Sequence, residues 1–271
     1  MRKTHIILLL LICFLFFSCG GTQAELYEMR LDALAYIIYE NPAAEREKEV
    51  TLLGDRYAIT YERSYSLGES LNRDCYYDAE RLLEFEYSVQ NGTLLLVGST
   101  RADKAVIPNE GGAVGTDMYF AWLESKIAVV LGVDVRSYVM EWETDYTDKT
   151  EKTVRGYSAS YTKHIGGHKS AERVVVRTLP DGSLRSLNHF EFPYHMAEGI
   201  TMDEERLDRS IKECLREHLT ASGSRLKSYT VQSVYWDLYD GKPCLFCRVA
   251  IEVAHGFRTH SDVYIMAALP G

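Results

Sequence analysis

Six cysteines and eight histidines supply most of the chain's chemically versatile side chains, and their spacing decides what they could do. Cys244-Leu245-Phe246-Cys247 has the spacing of a redox pair or half a zinc site. A redox CxxC needs its first thiol at a helix N-terminus, where the dipole lowers its pKa, yet this segment reads as a strand, where residues three apart face opposite sides. A zinc site needs two more ligands, and His255 and His260 follow at an irregular interval. These cysteines therefore read as buried thiols or one end of a structural disulfide. Cys75, Cys214, Cys244 and Cys247 allow three full pairings, among which sequence does not choose. His164 and His168 flank Gly166-Gly167 with no carboxylate between them and read as solvated turn residues. His189 and His195 lie among aromatic residues in a segment that reads as a strand leaving a sheet.

Acyl-transfer and phosphate chemistry lack their signatures. There is no Gly-x-Ser-x-Gly, no His-Glu-x-x-His and no phosphate-binding glycine loop. Ser160 to Lys163 and Ser224 to Lys227 have Ser-x-x-Lys spacing, without the Ser-Asp-Asn and Lys-Thr-Gly elements that complete an active-serine site. No catalytic residue, cofactor or metal is called for. Tyr76-Tyr77 and Tyr235-Trp236 are candidate aromatic anchors for a protein or glycan partner.

The remaining chemistry belongs to Cys19. Arg2 and Lys3 precede an apolar run, Ile6 to Phe17, that stops at Ser18-Cys19-Gly20-Gly21. A basic start, about a dozen apolar residues and a small residue before the cut describe an export signal too short for a comfortable membrane span. The Ser18-Cys19-Gly20 junction resembles the lipobox of bacterial lipoproteins. That resemblance implies a cleaved signal at 1–18, a diacylglyceryl thioether on Cys19, and anchorage on the outer side of a cell membrane. Without Arg2 and Lys3 the chain has 28 basic against 39 acidic residues, a formal charge of −11. This argues against a nucleic-acid partner and against a polybasic contact with anionic lipid, leaving the acyl chains as the membrane contact.

The elements that must position these residues follow from periodicity. A polar tether, 19–24, leads to residues 25–112, read as a helix over Glu25–Tyr39 and then antiparallel sheet, with Asn91-Gly92 as a hairpin turn. Residues 113–195 read as a helix over Met118–Leu131 stopped by Gly132, followed by strands at Ser137–Glu143, Gly156–Lys163, Glu172–Thr178 and Leu184–Phe192. Residues 196–271 repeat the order: a helix opened by the capping box Thr201-Met202-Asp203-Glu204, then strands at Ser228–Tyr239, Lys242–Ala254 and Asp262–Leu269. The fold expected is α+β, with tandem units of one helix on an antiparallel sheet.

Leu131-Gly132-Val133, Gly156-Tyr157-Ser158-Ala159-Ser160-Tyr161-Thr162-Lys163, Ile165-Gly166-Gly167 and Pro180-Asp181-Gly182 look like the PepSY and FTP-type modules of bacterial envelope proteins. The resemblance covers Asp117 to about Glu191 and extends, divergently, over Thr201–Leu269. It implies a cystatin-like helix on a curved sheet and a role in inhibiting, chaperoning or docking another envelope protein, with no catalytic residues to carry over. The expected function is non-enzymatic binding or modulation of an envelope protein or peptide, a peptidase among them, at an exposed sheet face, an edge strand, or the turn Ile165, Gly166, Gly167, His168. An accessory sensor of envelope signalling is the alternative, and an unrecognised hydrolase ranks behind both. Oligomeric state is not legible in the sequence.

Overall fold

The computed structural model describes residues 24–27, 36–67, 71–148, 153–192, 204–221, 223, 225–239, 242–253 and 258–266. Cys19, the leader, the capping box up to Asp203, and His195 lie outside them. The chain divides into two compact units, one of residues 29–195 with 235–242, the other of 1–28, 196–234 and 243–271.

The first unit begins with β2 (Tyr36–Tyr39), β3 (Glu47–Leu52), β4 (Asp55–Leu67), β5 (Leu71–Asp78), β6 (Leu83–Ser88) and β7 (Leu94–Ser99), β1 (Ala24–Tyr27) belonging to the other unit. Helix α1 (Asp117–Leu131) follows, then β8 (Val139–Asp148), β9 (Thr153–Ile165), β10 (His168–Thr178) and β11 (Leu184–Phe190). The sheet runs β10-β11-β7-β6-β5-β4-β2, with β3 also on β4 and with β8-β9 continuing from β10. Neighbouring strands here are antiparallel, apart from a short parallel contact of β10 with Tyr235 and Trp236.

Local chemistry sets the turns. Asn91-Gly92 closes β6 on β7 with Gly92 at φ 70°, and the Asn91 side chain accepts the Thr93 amide at 3.0 Å. Helix α1 starts where the Thr116 hydroxyl accepts the Tyr119 amide and ends where Gly132, at φ 70°, returns its N–H to the Ala128 carbonyl. Its stripe Tyr119, Leu123 and Ile127 is fully buried. That stripe shares one core with Ala159 and Tyr161 of β9, Val174 and Val176 of β10, and Ile59, Tyr76, Phe85 and Val97 of β4 to β7.

In the second unit, β1 (Ala24–Tyr27) pairs with β14 (Arg258–Met266), and β14 with β13 (Lys242–Val253). Helix α2 (Glu204–Ala221) packs against β1 and β14 and buries Leu207, Ile211, Cys214, Leu215 and Leu219 along one stripe. β12 (Leu226–Tyr239) follows it.

The α+β expectation of tandem helix-on-sheet units is corrected. Among the described residues strand makes up more than half and helix about a sixth, so the protein is predominantly antiparallel β. The physical reason lies in long-range pairing. β7 and β11 pair through Leu96↔Asn188, Val97↔Leu187 and Gly98↔Ser186, so the early strands and those after α1 share one sheet and one core. The helix expected over Glu25–Tyr39 is corrected at its two ends, while residues 28–35 lie outside the described residues. Ala24–Tyr27 and Tyr36–Tyr39 are strands, and the aromatic and β-branched run Tyr36-Ile37-Ile38-Tyr39 pairs with β4 from Leu67 to Ser64. Strand β5 had no sequence signal, because buried Arg73 and Asp74 break its apolar alternation.

Candidate functional site

Strand β8 forms an outer margin of the first unit's sheet. Its ladder partners are all in β9, from Val139↔Thr162 through seven unbroken pairs to Asp145↔Gly156, and among the described residues its other edge carries none. Alternate residues of such a strand turn their N–H and C=O away from the sheet. Met140, Trp142 and Thr144 are half-buried, while Val139, Glu141, Glu143 and Asp145 are exposed. Trp142 fixes the inner face. Its ring meets Phe120 of α1 edge-on at 5.2 Å and stacks on Tyr157 of β9 at 5.2 Å.

The turn between β9 and β10 adjoins this edge. Gly166 and Gly167 have φ of 56° and 85°, the pair of left-handed conformations that a two-residue hairpin turn demands, and both are exposed. Ile165 is half-buried, its carbonyl accepting the Trp236 indole N–H at 3.2 Å, and His168 is half-buried in register with it. Lys169, next in line, donates to the Glu141 carboxylate on β8. That hydrogen bond, more than the lysine charge or nearby His164, holds the Glu141 carboxyl below its usual range. The turn singled out in the sequence and the open edge are thus joined into one surface.

Elsewhere, a buried polar network gathers around Arg73. Arg73, 1% exposed, donates to Glu86 at 2.7 Å, to Asn188 at 2.9 Å and to the His189 carbonyl at 2.8 Å. Tyr65 donates to the same Glu86 carboxylate at 2.7 Å, and the Phe190 ring lies near both Arg73 and Arg173, at 5.2 and 4.6 Å. Beside them, Cys75, Glu84 and Glu86 bring potential metal-ligating atoms within 4.8 Å of one another. The arrangement suits a hydrogen-bond network better than a cation. Burial and then Glu84 push the Cys75 thiol far up, so it stays protonated and donates to Glu84 at 3.2 Å, with Tyr77 donating there at 2.9 Å. A metal would also have to displace the Arg73 guanidinium from Glu86.

Cys75, Cys214, Cys244 and Cys247 are all buried, and no disulfide joins them. Both Cys244 and Cys247 are fully buried on β13, as residues three apart on a strand covered on both faces must be. His164 is exposed, whereas His189 is buried with Nε2 3.9 Å from Glu172, itself the acceptor of the Tyr138 hydroxyl. Of the aromatic pairs, Tyr76 is sealed between Tyr61 and Tyr87, and Trp236 is 1% exposed, so neither ring is free to anchor a partner. Tyr235 is 39% exposed.

An open cleft of about 550 Å³ lies between β4, the β5–β6 turn and residues 99–106. Arg56, Arg101, Lys104, Asp78 and Glu80 rim it, and Tyr57, Leu83 and Val106 form its floor. Asp78 already accepts the Leu83 amide at 2.7 Å, and Ser99 has no histidine beside it in the lining. Among the helices described, none is long and apolar enough to cross a membrane. Compared with known proteins, the chain matches no family model and no curated protein sequence.

Proposed function

We propose that this chain is an exported protein, lipidated at Cys19 and held at the outer side of a cell membrane, that acts by binding another envelope protein or peptide at the surface formed by β8 and the β9–β10 turn. The leader ending Ser18-Cys19-Gly20 supports the anchor. The single observation that supports binding is the open edge of β8, a ten-residue strand clamped from behind by Trp142 and continuous with the Gly166-Gly167 turn through Lys169 and Glu141. A rigid strand with free backbone donors and acceptors captures an extended partner at little ordering cost. On this reading the work is recognition, and the protein carries out no bond-making step.

The test is chemical crosslinking in intact cells followed by purification, with Cys19→Ala run alongside. A discrete envelope protein recovered with the wild type and depleted with C19A supports both anchor and binding. Equal recovery with both removes the anchor. No specific recovery removes the binding reading.

A further inference from the structure

The charge on β8 narrows what can occupy its edge. Resting on the binding reading above, we infer that the edge accepts an extended segment of a different protein, one that alternates lysine or arginine with apolar residues and adds to the sheet as a further strand. Three observations carry this.

The first is regularity. From Val139 to Asp145 the register with β9 is unbroken, and the irregularities come only after Asp145. A regular stretch of seven residues offers an incoming strand a continuous row of main-chain groups.

The second is the division between the two faces. Glu141, Glu143 and Asp145 project to the exposed face, and Met140, Trp142 and Thr144 to the half-buried one. An added strand would set alternate side chains beside each row, cations beside the carboxylates and apolar groups beside the Trp142 row. Glu141 is paired with Lys169, but Glu143 and Asp145 form no ion pair among the described residues. Their charge is available to a partner.

The third is exclusion of self. A second copy of β8 on this edge would bring carboxylates opposite or diagonal to carboxylates, and like charges there are destabilising. From Cys19 on, the chain carries a formal charge of −11, which adds to the repulsion between two copies. The same acids that keep the edge from pairing with itself therefore select a basic strand.

The experiment uses the mature chain from Cys19 and a fluorescent octapeptide of alternating lysine and valine, read by anisotropy. Three comparison peptides carry glutamate for lysine, a scrambled order, or N-methyl groups at alternate positions that block the main-chain ladder. The expected result is saturable binding of the lysine peptide, weakened by salt, and lost by about tenfold or more on N-methylation or scrambling. The double variant Glu143→Lys with Asp145→Lys, exposed positions that leave the core intact, should lose the lysine peptide and gain the glutamate one. Hydrogen exchange should slow in β8 when the lysine peptide is bound.

Three results would overturn the inference: no binding, binding indifferent to N-methylation, which would mean plain charge attraction, and a dimer crosslinked through Glu143. If the edge captures a cellular partner yet ignores the lysine peptide, the strand chemistry is wrong and the binding reading stands. If it does neither, both fall.

Discussion

The indole of Trp142 lies 5.2 Å from the ring of Tyr157, centroid to centroid, with their planes only 15° apart. The stack joins an outermost strand to its neighbour on the face that α1 covers, and Phe120 closes on Trp142 from the helix. An edge strand held in this way keeps its shape without a partner, which is what a preorganised docking edge requires. Trp142→Ala should cost about 2 kcal/mol or more, from lost aromatic contact and the cavity left behind. Amide exchange should accelerate in β8 while β5 and β6, which are not its neighbours in the sheet, stay protected. Exchange unchanged in β8 would mean that the clamp does not order the edge.

Arg73 and Glu86 form an ion pair with side chains only 2% and 7% exposed. Removing one member of such a pair leaves the other charged and buried, so Arg73→Met should destabilise by about 3–5 kcal/mol in denaturant titration. Changing both partners to apolar residues should recover much of that loss. A single variant as stable as the wild type would show that Glu86 finds water or another donor.

The four thiols that follow Cys19 are buried, and none is in a disulfide. Burial pushes Cys247 up to about 12, so at pH 8 it is a protonated thiol rather than a nucleophile. Mass spectrometry after alkylation should show no modification of Cys75, Cys214, Cys244 or Cys247 in the native protein and four additions after denaturation. A disulfide in the mature protein would contradict the structure.

Asp237 offers a pH test. Burial raises its pKa above the ordinary value of 3.8, outweighing the Leu238 amide and the Arg173 charge, both of which act in the opposite direction. The folded state therefore prefers the protonated acid. Its contribution is fully present below the ordinary carboxylate pKa and is lost as pH rises through the raised folded value. Asp237→Asn should thus gain Tm relative to the wild type as pH is taken from about 4 to 7. A gap between the two that does not change with pH would show that Asp237 is not perturbed.

The local parts of this fold were legible where a single side chain dictates geometry. The Asn91-Gly92 and Gly166-Gly167 turns and the α1 helix with its Gly132 stop all declare themselves by conformational need or period. Residues 36–39 did not, because four apolar residues fit a helix or a strand until Ser64 to Leu67 supply the pairing. Strand β5 was hidden because Arg73 and Asp74 are buried by partners remote in sequence, Asn188 among them. The pairing of β7 with β11, which merges what read as separate sheets, has no local signal at all. For the site, the turn at 165–168 was visible from its glycines, but nothing in the sequence marks β8 as an edge. Only its place in the sheet does so.

The most direct test of the central claim is site-resolved photo-crosslinking in intact cells. A benzophenone amino acid is placed at Glu143 on β8 and, in a separate variant, at Val129 on α1, which is 71% exposed in the same unit. The account predicts a discrete crosslinked envelope protein from position 143, absent from position 129 and reduced by C19A. Equal capture at both positions, or none at position 143, would contradict it.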